Sequence, residues 1–124
     1  MNADLAPEML RDLVALSLDD GKALDVRVMD VRELTSITDY MVVASGRSSR
    51  QVKALKDRVL EAAREKDIRP IGVEGDGVCE WILIDFGDVI VHTMQQETRD
   101  FFQLEKLWDT RDRDRLAESI RDDE

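Results

Sequence analysis

The chain has 124 residues, 43% of them hydrophobic, which is one domain of ordinary length with enough apolar mass for a real core. Its 18 Lys and Arg stand against 28 Asp and Glu, a formal net charge of −10. That balance excludes nucleic acid as the main partner and disfavours an anionic membrane surface, because both need clustered bases; it suits a basic partner or plain solubility.

The first element is a helix from Pro7 to about Leu18. Pro7 fits the first turn, Met9, Leu10, Leu13, Leu16 and Ser17 give it a mostly apolar face, and Asp19-Asp20-Gly21 ends it. Residues 23–31 alternate as a half-buried strand, with Leu24, Val26, Val28 and Asp30 on one side and Ala23, Asp25, Arg27, Met29 and Val31 on the other. The continuous apolar run 40–44 predicts a strand covered on both faces. After the break at Ser45–Ser49, Ser48 and Gln51 have capping-box spacing. Val52, Leu55, Lys56, Val59, Leu60 and Ala63 then repeat at helical spacing, with the Lys56 stem at the stripe's edge. The helix ends before Pro70, which opens a short extended piece, 71–73.

Residues 80–94 predict a hairpin around a two-residue Gly87-Asp88 turn, pairing Phe86 with Val89, Ile84 with Val91, Leu83 with His92 and Trp81 with Met94. One face then carries Ile82, Ile84, Phe86, Val89, Val91 and Thr93, nearly pure hydrocarbon that should meet the helices. The other carries Trp81, Leu83, Asp85, Ile90, His92 and Met94, a mixture better suited to a surface that another protein covers. A last helix is expected from Gln95, with a second capping-box spacing at Thr93 and Gln96. Phe101, Leu104 and Trp108 cluster on one side of it and Phe102 lies off that stripe. Residues 110–124 hold four bases and six acids and read as a charged, flexible tail, leaving residues 1–109 as a single α/β domain. The element order predicts a mixed sheet of about five strands with helices on its faces.

Little in the chain carries catalytic chemistry. Asp85-Phe86-Gly87 matches a kinase magnesium motif by letters only, since the glycine-rich loop and catalytic loop of a kinase are missing. Ser45–Ser49 has the place of a phosphate-cradling loop but not its pattern. His92 has Asp85 diagonally across the hairpin, yet a polar residue on a half-covered sheet face explains it. Cys79, the lone cysteine, excludes an internal disulfide and a Cys-rich zinc site and reads as a small hydrophobe. No apolar run approaches the ~20 residues of a membrane span, and Met1-Asn2-Ala3-Asp4 does not open a signal peptide, so a cytoplasmic location is expected. Between Pro70 and Thr98 there are six acids and no Lys or Arg, so negative charge and the Trp81 face coincide.

Ser36-Ile37-Thr38-Asp39-Tyr40-Met41, Ser45-Gly46-Arg47-Ser48-Ser49-Arg50-Gln51-Val52, Gly72-Val73-Glu74-Gly75, Trp81, residues 85–92, Met94-Gln95 and Leu104-Glu105-Lys106-Leu107-Trp108 together resemble the ribosomal silencing factor family, also called Iojap. The resemblance runs in order over residues 8–109. It implies a nucleotidyltransferase-like fold without catalytic activity, metal or cofactor. It also implies a bacterial factor that binds the large ribosomal subunit through ribosomal protein L-fourteen. There such a factor blocks subunit joining and lowers translation when nutrients are scarce, with a link to large-subunit assembly. It places Trp81 and the aromatic at Phe102 on the docking surface, although some relatives have Tyr at the latter position. In keeping with the inactive reading, Glu74 and Asp76 have carboxylate-pair spacing but lie in a glycine-rich loop.

The partner-facing residues expected from both lines are Trp81, Leu83, Asp85, Asp88, Ile90, His92, Met94, Glu97, Phe102 and Glu105. Trp81, Met94 and Phe102 should supply apolar contact; Asp85, Asp88, Glu97 and Glu105 should steer association. Replacing Trp81 by Ala is expected to leave the fold intact and weaken binding. No direct nucleic-acid specificity is expected. A nucleotide-binding protein using the Ser45–Ser49 loop, and a homodimer formed through the same face, are the alternatives.

Overall fold

A computed structural model describes residues 5–108; the tail expected at 110–124 lies outside the described residues. The chain order is α1 (Pro7–Asp20), β1 (Leu24–Asp30), β2 (Tyr40–Gly46), α2 (Ser49–Glu65), β3 (Gly72–Glu74), β4 (Trp81–Asp85), β5 (Val89–Gln95), α3 (Gln96–Phe102) and α4 (Leu104–Trp108). Five strands form one mixed sheet in the order β1-β2-β5-β4-β3. Only β2 and β5 run parallel, joined by a crossover that contains α2; the other neighbours are antiparallel.

The sheet's main core lies under α1 and α2. Val52, Leu55, Val59 and Ala63 of α2 pack there with Leu10, Val14 and Leu18 of α1 and with Tyr40, Val42, Ala44, Ile82, Ile84, Val89 and Val91 of the sheet. All seven residues of β2 are buried, as a central strand covered on both faces must be. The α2 start follows the expected cap. Ser48 Oγ accepts from Gln51 N at 3.2 Å, while the Gln51 side chain reaches back to Arg47 N rather than to Ser48. Lys56 is buried, and its ammonium is held by Asp57 at 2.7 Å and Asp76 at 3.0 Å. Burial works to lower its pKa, but these two carboxylates outweigh it and raise the group above its ordinary value.

Three local expectations are corrected. Met9 and Leu16 of α1 are 57% and 59% exposed. The buried set is Leu10, Val14, Ser17 and Leu18, the rotation that keeps a continuous stripe against α2 and β2. In β1 the register slips between Leu24 and Arg27, with Asp25 at φ 48. This bulge sets Leu24 opposite Ser45 and sends Val26 to the helix side, so the strand's alternation does not run through. The Thr93–Gln96 cap does not form: Thr93 belongs to β5 and donates to Val52 O, and α3 starts after Gln95 without a side-chain cap.

The hairpin has the expected register throughout, Trp81 opposite Met94 to Asp85 opposite Ile90. Gly87 takes φ +91 at the turn, and Phe86 N donates to Val89 O at 3.0 Å. On the sheet's second face, Met29, Val31, Met41, Val43 and Met94 form a smaller core edged by Leu34, Trp81 and Leu104. Here the expected single C-terminal helix is two pieces. Gln103 adopts a left-handed conformation (φ 49, ψ 48), which turns α4 away from the axis of α3.

Candidate docking surface

The uncovered part of the second face is an aromatic ladder. Trp81 Nε1 donates to His92 Nδ1 at 2.9 Å, the Trp81 ring lies 5.1 Å from Phe102, and Phe102 meets Phe101 edge-on at 4.9 Å. Exposure rises along it: His92 is 4% exposed, Trp81 intermediate, Phe102 55% and Phe101 80%. Leu83, Asp85 and Ile90 extend the face as half-buried residues, and Asp88 and Glu97 are exposed. Asp85 Oδ1 also accepts from Gly87 N at 2.8 Å, so this carboxylate shapes the turn as well as the surface.

Three of the expected partner-facing side chains lie beneath the surface rather than on it. Met94 is fully buried in the small core, because α3 and α4 fold back over the end of β5. His92 is buried against Trp81. Glu105 is held by the Arg99 guanidinium and retains only 12% side-chain exposure. Trp81 itself packs against the Met94 cluster. Trp81→Ala therefore tests packing and surface together, contrary to the expectation of an intact fold. Phe101, expected in the core stripe of one straight helix, is instead the most exposed aromatic of the ladder, since the break at Gln103 separates it from Leu104.

His92 couples to Trp81 rather than to Asp85. Because Nδ1 accepts the indole proton, the neutral ring carries its own proton on Nε2, which has no hydrogen-bond partner among the described residues. Burial pushes His92 down to about 4, against a smaller upward pull from Glu105. The folded pKa thus lies below the unfolded value of about 6.5. The stabilisation is complete above pH 6.5 and is lost as pH falls from there toward 4, where the unfolded chain binds a proton that the native ring refuses. From pH 7 to pH 4.5 the parent protein should lose roughly 2 kcal/mol more unfolding free energy than a His92→Gln variant. Equal losses in urea titrations at the two pH values would disprove this.

Sequence reasoning missed Arg99. This side chain is 3% exposed, and it donates to Ser45 Oγ at 2.9 Å, to Leu24 O at 3.4 Å and to Glu105, with Asp25 at 3.5 Å. It ties α3 and α4 to the start of β1 and the end of β2. Burial alone would raise the Glu105 carboxyl, but the hydrogen bond and charge of Arg99 outweigh it and hold that group below its ordinary range. The one available signal was position: Arg99 is the first base after the base-free stretch. The Glu74–Asp76 spacing is likewise divided, with Glu74 exposed on β3 and Asp76 on Lys56.

Fold and surface together define a small α/β domain with an aromatic, acid-rimmed face. Residues 3–124 match the family model described as ribosomal silencing factor during starvation. The chain belongs to the ribosomal silencing factor family. Ribosomal silencing factor RsfS of Zymomonas mobilis is 42% identical over 102 residues, covering 82% of this chain and 77% of that protein. A crystal structure of a Chromobacterium violaceum protein superposes with a TM-score of 0.81 at 39% identity, covering 83% of this chain and 86% of the other. The mouse protein named mitochondrial assembly of ribosomal large subunit protein 1 is 32% identical over 103 residues, 81% of this chain and 45% of its own length. No helix among the described residues is long and apolar enough to cross a membrane.

Proposed function

We propose that this chain binds the large ribosomal subunit in the cytoplasm through ribosomal protein L-fourteen, blocks subunit joining by steric cover, and so lowers translation when nutrients are limiting. The reading assigns the chain no chemistry of its own: it acts by occupying a surface. One observation carries it, the exposed Phe101–Phe102 pair, with Phe102 packed against Trp81, and Trp81 itself lying in the stretch 70–98 that has acids and no bases. Aromatic anchors inside a charged rim are the usual anatomy of a protein interface, and an acidic rim selects a basic partner. The family membership and the mouse relative's printed association with large-subunit assembly support the same direction.

Direct contact falls to Phe101, Phe102, Leu83, Ile90 and the outer edge of Trp81, with Asp85, Asp88 and Glu97 steering. Met94, His92 and Glu105 act from beneath. Phe102→Ala should weaken large-subunit binding by about 2 kcal/mol, roughly thirtyfold, without a change in melting temperature, because the ring is 55% exposed. Sedimentation with separated subunits at two salt concentrations measures this; unchanged co-sedimentation would remove the aromatic face from the mechanism. A second copy of the chain is the competing occupant, and light scattering with and without large subunits separates the two.

A further inference from the structure

The acidic hairpin has a basic counterpart at the other end of the sheet: Asp85 and Asp88 lie at the turn, beside Met41 and Tyr40, whereas Gly46 stands beside Gln95 at the hairpin's open end and leads into a run of bases. From Tyr40 to Lys56 the chain holds four bases and no acid. Lys56 is buried and paired, but Arg47, Arg50 and Lys53 are exposed. Lys22 joins them: Gln51 Nε2 donates to Lys22 O at 3.1 Å, while Gln51 Oε1 accepts from Arg47 N at 2.7 Å, so one glutamine pins both segments. None of Lys22, Arg47, Arg50 and Lys53 makes an ion pair among the described residues. Two acids close in sequence are engaged elsewhere, Asp57 with Lys56 and Asp25 with Arg99.

The sheet register fixes where this patch lies. Trp81 stands opposite Met94, and Met94 stands beside Ser45. Two strand spacings, about 10 Å, therefore separate Trp81 from Ser45, and the chain enters the basic segment two residues later. The aromatic anchors thus have acids on the hairpin side and unpaired bases on the α2 side.

We infer that Lys22, Arg47, Arg50 and Lys53 contact the phosphate backbone of RNA adjoining the docking site. This rests on the docking reading and extends it. A surface that is acidic on one side of its anchors and basic on the other complements a basic protein seated against polyanion, which is the boundary between protein and RNA in a ribonucleoprotein particle. The contact is one of charge without base readout, so it leaves the absence of nucleic-acid specificity untouched. It also answers the overall negative charge: the patch lies within one or two screening lengths of the anchors, and only local charge acts over that range at physiological salt.

The test uses the full chain carrying Arg47→Gln, Arg50→Gln and Lys53→Gln together. All three side chains are exposed and Ser48 is untouched, so the cap and the melting temperature should be preserved. Affinity for isolated large subunits is measured over a salt series, beside affinity for isolated ribosomal protein L-fourteen. Each phosphate contact contributes roughly 0.7–0.9 to the slope of log affinity against log salt, so the triple variant should lose about 2 from that slope. It should bind large subunits about tenfold more weakly at low salt and bind the isolated protein as the parent does. An unchanged slope on large subunits overturns the inference, and so does an equal loss on the isolated protein, which would make the patch a protein contact. Failure of the unsubstituted chain to bind large subunits would overturn the docking reading itself, and this inference with it.

Discussion

Arg99→Met is expected to lower the unfolding free energy by about 3 kcal/mol, seen as a lower urea midpoint, and to reduce large-subunit binding further than that loss explains. Methionine fills most of the volume, so the cost is electrostatic. The substitution leaves Glu105 as a largely buried carboxylate and Ser45 Oγ without its donor, while Asp25 loses its cation among the described residues. Removing one partner of a buried pair is far more costly than never having had the pair, because the remaining charge stays desolvated. Binding should suffer as well. Arg99 lies one turn before Phe102, and its link to Glu105 holds α4 across the break at Gln103. Arg99→Lys should fall between parent and Arg99→Met, since an ammonium keeps the charge but cannot reproduce a fork that reaches β1, β2 and α4 at once. A parent-like midpoint for Arg99→Met would show that the network adds nothing to stability.

Gly75→Ala should be comparably severe. Gly75 sits at φ +87, and a Cβ built there would come within 2.0 Å of the Trp81 carbonyl oxygen. Left-handed strain accounts for about 1 kcal/mol, and the clash is with backbone that cannot rotate away, so a total of about 3 kcal/mol or more is expected. The displaced atom belongs to the first residue of β4, which also places the Trp81 indole. Gly77→Ala in the same loop is the control, because nothing lies within 4 Å of its Cβ position. Thermal melts of the two variants should diverge widely; similar melting temperatures would refute the steric account.

Some of this architecture was legible because local chemistry determines it. Gly87-Asp88 fixes the hairpin register, and alternation from Trp81 to Met94 then assigns both faces. The α2 stripe and its Ser48 cap follow from helical spacing alone. What failed to show depends on distant partners. No local pattern marks the break at Gln103, and on a straight helix Arg99 and Glu105, six positions apart, point to different sides. Hairpin residues were assigned correctly to a face, yet a face is not an exposure: Met94 and Trp81 share one, and only the return of α3 and α4 buries the former. Nothing local marks the bulge at Asp25, because either alternation of β1 supplies an apolar row. The basic segment 40–56 was visible as charge, but its nearness to Trp81 exists only through the parallel pairing of β2 with β5.

That single parallel pairing also governs how the molecule is born. β2 has β1 on one side and nothing on the other until β5, some forty residues later in the chain, is available to fill the gap. Contacts of such sequence separation form late and set the folding rate. During synthesis α1, β1, β2 and α2 emerge first, with the apolar side of β2 open, and the sheet closes only after Gln95 has left the exit tunnel. The proposed docking face, built from β4, β5 and the two short helices that follow, is therefore the last of the described elements to be finished. On the proposed function, a nascent copy would then lack a completed surface with which to engage the ribosome that is making it.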